Sequence, residues 1–226
     1  MASFKMNFAT CRGLGEPGEI VEALERFGLA ETEEVGVLHA DGAGPAAFGT
    51  LVRRTNLTIQ RVDAETREVL TDVVERVALL PFGAFPGQER LEVYAGGSSA
   101  VEQVGAFLAT GLGMAVVTDP IELDLVGAIE KLMNETSKFQ LRAVRATDYA
   151  ANSYMIGTYA PKFMDTDHGL QFMEQYAEAL KSVQVRFAGP SGRATATLAP
   201  NACFSYSCPE DDQPEIQQIL RKLITG

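Results

Sequence analysis

Three glycines, Gly13, Gly15 and Gly18, stand in the run Gly-Leu-Gly-Glu-Pro-Gly, after a strand-like segment and at the start of a helix-like one. In that setting G-x-G-x-x-G is the spacing that lets a dinucleotide's pyrophosphate approach a helix N-terminus. Asp41 lies about where a ribose-binding acid would follow. The surrounding residues oppose this chemistry. Lys5 and Asn7 alternate with Phe4, Met6 and Phe8, whereas a central parallel strand is apolar on both faces. Glu16 and Glu19 place negative charge where the pyrophosphate would lie. A Gly-rich turn with Pro17 at the first helical position accounts for the same residues, so no cofactor is expected.

Asp165, Asp167 and His168 group two carboxylates with one of only two histidines. Carboxylate and imidazole are metal ligands, yet acids are also the expected residues at a helix start. The reading is a cap, with no metal. The other histidine, His39, has no recognisable partner for a Ser-His-Asp or Cys-His apparatus. Cys203 and Cys208 are spaced C-x₄-C without a second pair, unlike a zinc knuckle. With Cys11 they make an odd, sparse set that suits a reducing compartment. No catalytic residues emerge, and the balance leans away from an enzyme.

Two groups of residues suit binding. Tyr149, Tyr154 and Tyr159 recur every five residues beside Asn152, Ser153 and Gly157, a spacing that is neither helical nor strand-like. Such a loop presents aromatics to a partner protein. Arg142, Arg145, Arg186 and Arg193 fall on or beside predicted strands, where a shared sheet face would suit nucleic acid. Net charge is -11, from 30 acidic and 19 basic residues, which disfavours polyanions and anionic lipid surfaces. Pairing of these arginines with the abundant acids is therefore the expectation.

The elements that must position these groups follow from periodicity. Residues 4–10 read as a half-buried strand. Ile20, Val21, Leu24 and Phe27 form a helical stripe stopped by Gly28. Short strands are expected at 35–38 and near Leu57, Ile59 and Val62, with 41–49 as a loop between them. Asp63 to Thr66 is turn-like and returns as a hairpin. Residues 69–80 fit either period; their valines favour strand. Leu91 to Ala95 is a strand, Ser98 or Ser99 caps a helix to Leu112, and Ala115 to Thr118 is a strand. Pro120 is expected to open a helix through Leu132. Then come a strand at 139–144, an irregular tyrosine-rich stretch at 148–161, a helix after Asp165, strands at 183–187, 193–198 and 204–207, and a helix opened by Pro214.

These elements suggest an α+β fold with mainly antiparallel sheets and about five helices. Two subdomains, 1–136 and 137–226, are expected. With 46% hydrophobic and 22% charged residues over 226 positions, the chain has the composition of a soluble globular protein. It shows no signal-like leader and no membrane-length apolar run, so a cytoplasmic location is expected. The run Leu91 to Leu125, ending Pro-Ile-Glu-Leu-Asp-Leu, is similar in layout to the recombination-associated RdgC family over about 35 residues. That resemblance implies duplex DNA held in a basic ring, whereas this chain is acidic. The adopted function is non-catalytic binding of another protein, or self-association. The alternatives are nucleic-acid binding through the arginines, and a nucleotide-dependent enzyme or binder at Gly13–Gly18.

Overall fold

The computed structural model describes residues 1–28, 34–113, 116–152 and 155–224, with backbone alone at 111, 112, 148–152, 155 and 156. Five α-helices and eleven strands are described, and strand outweighs helix. The chain divides into two compact units, residues 11–118 and residues 1–10 with 119–226. The boundary expected at residue 136 falls inside the second of these. The first strand, β1 (Ala2–Arg12), has residues in both units.

In the 11–118 unit, α1 (Pro17–Arg26) is followed by β2 (Val35–Ala43), β3 (Ala46–Val62), β4 (Val69–Phe85) and β5 (Arg90–Val93), then α2 (Ser98–Leu112). The strands pair antiparallel in chain order. Ile20 and Leu24 of α1 and Val104 and Leu108 of α2 are buried, together with Leu51, Phe82, Leu91 and Val93 of the sheet. Ile20 and Leu24 of the stripe read from residues 20–27 thus form the core face of α1, while Phe27 just beyond it is exposed. Phe27, the one aromatic of the stripe, meets Phe107 edge-on at 5.6 Å. Arg90 and Glu92 form a buried ion pair at 2.9 Å. Tyr94 donates to the second Glu92 oxygen, and Phe85 lies beneath the guanidinium. Those partners offset part of the cost of taking both charges out of water.

The expected loop at 41–49 is instead a tight hairpin, with Ala43 opposite Ala46 across a Gly44-Pro45 turn. Gly44 has φ +59, a conformation glycine adopts without penalty. Small residues read as loop in sequence, but here they allow close approach: a Cβ on Gly49 would lie 2.8 Å from Phe82 Cζ of β4. Residues 69–85 are strand, as the valines favoured.

The chain passes between the units through β6 (Val117–Pro120). The expected helix from Pro120 starts later, as α3 (Leu125–Glu135). Asp124 is its cap, accepting from Val126 N at 3.0 Å, while Leu123 N bonds Pro200 O and holds the preceding residues extended. Then follow β7 (Gln140–Asn152), β8 (Met155–Tyr159), α4 (Thr166–Gln175), β9 (Leu180–Ala188), β10 (Arg193–Leu198), β11 (Cys203–Cys208) and α5 (Gln213–Lys222). Residues 148–161, expected to be irregular, contain an antiparallel pairing of β7 with β8 in which Ala150 faces Ile156. Tyrosine, isoleucine and threonine suit a pleated ladder, a signal outweighed in sequence by the odd tyrosine spacing.

The sheet of this unit runs β1-β11-β10-β9-β7-β8. Its register aligns Met6, Phe204, Leu198, Val183 and Val144 on one face, with Phe4, Tyr206, Ala196, Val185 and Leu141 one pleat away. The interior members of that face are buried under α3, α4 and α5, which contribute Ile129, Leu132, Met173, Ile216 and Leu220. Contact with α4 is close enough that a Cβ on Gly169 would sit 2.7 Å from Leu141 Cδ2. Because successive residues alternate faces, the same register fixes what the opposite face carries.

Candidate functional site

That opposite face is open and polar. Across β9, β10 and β11 it carries Gln184 with Thr197 and Ser205 on one row, and Arg186 with Thr195 and Ser207 on the next. Lys5 of β1 extends the first row. Arg193 stands opposite Ala188, and Arg145 stands opposite Ser182. The register therefore brings Arg145, Arg186 and Arg193 to one surface. Arg142 lies at a bulge, between the pairs Leu141–Val185 and Ala143–Gln184, so the register does not align it with them.

Among the described residues, no carboxylate lies within ion-pair distance of these four arginines. The expected pairing with acids is absent there. It occurs in the other unit, where Arg61 bonds Asp72 at 2.9 Å, Arg54 approaches Glu75 at 3.9 Å and Arg90 holds Glu92. The units also differ in balance. Residues 11–118 hold 8 basic and 16 acidic side chains, net -8; the remainder holds 11 and 14, net -3. In the second unit many of the acids lie on or beside the helices, including Glu130, Glu135, Glu174 and Glu215.

At one end of the open face, an open cleft of about 670 Å³ is lined by Lys138, Gln140, Arg186, Arg193 and the 189–192 hairpin. Lys138 and Gln140 were missed from sequence. Their place depends on Ala188 N bonding Ser137 O at 3.0 Å, which ties the start of β7 to the end of β9. Lys138 has φ +53, a left-handed conformation that costs a residue with a Cβ about 1 kcal/mol. The hairpin is closed by Gly189 N to Gly192 O at 2.7 Å. It is fixed from below by buried Asp212, which accepts from Ser191 N at 3.1 Å and Ser191 Oγ at 2.6 Å.

The second surface is in the other unit. β3 and β4 are 17 residues each and pair from Ala47–Ala84 to Val62–Val69. β2 accompanies β3 only to Arg53, and β5 accompanies β4 only over Phe82–Phe85. Beyond these limits the two strands form a ribbon with Leu57 and Val74 on one face and Val62, Val69 and Val73 on the other. Val62, Val69 and Val73 are each more than 60% exposed. Asp63 closes the tip, accepting from Glu65 N and Thr66 N at 2.8 and 2.9 Å. In sequence the valines signal only a strand; their exposure follows from the ribbon outrunning its neighbours, which no local pattern announces.

The glycine motif does lie between a strand and a helix. Glu19 Oε2 accepts from Glu16 N at 3.1 Å, so a carboxylate already occupies the entry to α1. The adjacent cleft, about 620 Å³, is lined by Gly15, Glu16, Glu19, Gly44 and Gly87 among others, without a basic residue. Gly13 has φ +81 at the turn, and Gly18 lies in the first turn of α1. Asp41 sits on β2, opposite Phe48 of the antiparallel neighbour β3.

Tyr154 lies outside the described residues. The backbone of Tyr149 pairs with Gly157 in the β7–β8 ladder. Tyr159 is exposed, with its ring 5.8 Å from Phe172. Asp165 caps α4 and bonds His168 Nδ1 at 2.5 Å, both side chains exposed. Among the described residues no three His, Cys, Asp or Glu side chains gather as metal ligands, and no helix is long and apolar enough to cross a membrane. No protein-family model matches the chain, and no curated protein matches it.

Proposed function

We propose that this α+β protein acts without catalysis, in the cytoplasm, by binding protein through the β3–β4 ribbon, either a second copy of itself or another chain. One observation carries the reading: the ribbon exposes large apolar side chains on both faces, and among the described residues no element covers them. An isolated two-stranded ribbon is marginal in water, and contiguous exposed apolar surface marks interaction sites. Covering a valine fully contributes on the order of 1.5 kcal/mol, so a few of them suffice for a specific contact. The outer backbone edges of residues 55–62 and 69–80 also offer donors and acceptors for an added strand. The nucleotide reading has less support, since Glu19 satisfies the α1 entry and the cleft beside it is acidic.

Light scattering over a wide concentration range tests self-association, and a photo-crosslinker at Val73, used in host cells, tests a different partner. The expected result is a concentration-dependent mass, or a discrete adduct at position 73 that is lost in Val62→Lys and absent when the crosslinker stands at Thr195. A constant monomer mass with no position-specific adduct overturns the reading.

A further inference from the structure

We infer that the open sheet face of the unit formed by 1–10 and 119–226, with the cleft between Lys138, Arg186 and Arg193, binds the phosphodiester backbone of duplex nucleic acid without reading its sequence. The inference is independent of the ribbon, which belongs to the other unit.

A net charge of -11 repels a polyanion at long range, but salt screens that repulsion over about 10 Å at 0.1 M. What remains is local. Among the described side chains this face carries no acid, whereas Lys5, Arg145, Arg186 and Arg193 all stand on it by register. None of the three arginines is neutralised by a described carboxylate. The one buried acid beneath the cleft, Asp212, spends its oxygens on Ser191.

Spacing argues for an extended ligand rather than a small anion. Arg145 faces Ser182, four residues along β9 from Arg186, which is about 13 Å. Lys5 lies three strands from Gln184 along one row, about 14 Å across. One phosphate cannot reach these cations together; a backbone of successive phosphates can. Between them stand Ser205, Ser207, Thr195 and Thr197, hydroxyl donors of the kind that contact phosphate and sugar oxygens and carry no sequence information.

The missing ingredient selects the form of nucleic acid. Single-strand platforms stack bases on aromatic side chains. The described aromatics of β9 and β11, Phe187, Phe204 and Tyr206, point to the helices and are buried, and among the described side chains the open face has none. A surface that offers cations and hydroxyls alone suits a duplex, whose bases are already stacked and whose phosphates are displayed.

The test is fluorescence anisotropy on the full chain with a labelled duplex of about 20 base pairs and with one of its strands, from 50 to 200 mM salt. Five phosphate contacts, from Lys5, Lys138, Arg145, Arg186 and Arg193, give a slope of about -4.5 in log affinity against log salt, a loss of about 500-fold over that range. Arg186→Gln and Arg193→Gln should each flatten the slope by about 0.9, and Arg193→Lys should keep it. Lys138→Gly, which removes a charge while suiting the left-handed backbone, should weaken binding in a protein that still melts cooperatively. Arg61→Gln, on the ribbon, should change nothing. The inference is overturned by absence of duplex binding at 50 mM salt, by a slope that both glutamine variants leave intact, by tighter binding of the single strand, or by full competition from micromolar inorganic phosphate.

Discussion

Gly49 and Phe82 stand directly opposite one another in the β3–β4 ladder, and the ring covers the glycine so closely that a Cβ there would lie 2.8 Å from Phe82 Cζ. The next rung reverses the arrangement: Phe48 faces Gly83, where a Cβ would lie 2.9 Å from Phe48 Cε1. Neighbouring rungs point to opposite faces, so one aromatic–glycine pair locks each face at the base of the ribbon. Phe85 braces Phe48 edge-on at 5.8 Å.

This predicts a sharp contrast along one hairpin. Gly49→Ala and Gly83→Ala should each destabilise the protein by about 1–3 kcal/mol, because a packed ring must move. Val73→Lys, at a position 67% exposed, should stay within about 0.5 kcal/mol of the parent. Urea denaturation followed by circular dichroism measures all three. Equal costs at base and ribbon would mean that the ribbon is covered in the free protein.

Much of the fold was legible because periodicity and burial agree in the second unit. Val183, Val185 and Phe187 alternate with polar residues, and each lands on the buried face. The helical stripes at Ile20–Leu24 and Ile216–Leu220 were equally direct. Where sequence reasoning failed, a local signal had two meanings. Ala and Gly at 41–49 signal a loop, or a ladder that needs close approach. Pro120 signals a helix start, or the end of a strand. The binding surfaces were harder, since they depend on pairs of strands. Arg145, Arg186 and Arg193 meet only through the β7–β9–β10 register, and a single bulge sets Arg142 apart. Lys138 joins them through one backbone hydrogen bond to β9.

The thiols should differ in reactivity. Burial pushes Cys11 up to about 11. Cys208 is raised by burial and by the charge of Asp212, and it has no exposed surface. Cys203, half-buried on the open face, is raised by burial and lowered in part by Lys5. Cys203 and Cys208 are five residues apart on one strand, hence on opposite faces and about 17 Å apart, too far for a disulfide. A thiol reagent at pH 8 should label Cys203 first in the native protein and the other two only after unfolding. Mass mapping of the labelled peptides checks the order, and prior labelling of Cys11 or Cys208 would refute it.

The entry to α4 should carry a pH signature. Asp165 is lowered below the ordinary carboxylate value, first by its hydrogen bond to His168 and then by the backbone N–H of Asp167. A carboxyl depressed in the folded state stabilises above its unfolded pKa of about 3.9, and the contribution fades as pH falls through the lower folded value. Asp63 at the ribbon tip is lowered in the same direction by Thr66 N and Glu65 N. Stability should therefore hold from neutral pH to about pH 5 and decline below pH 4. Asp165→Asn keeps an amide oxygen for the cap but cannot ionise, so it should flatten the acid limb without melting α4. Asp165→Ala removes cap and charge together and should lower stability at every pH. Urea midpoints between pH 2.5 and 7 for the three proteins decide the matter. An Asp165→Asn profile as steep as the parent's would place the acid sensitivity elsewhere, with Asp63→Asn as the next variant to compare.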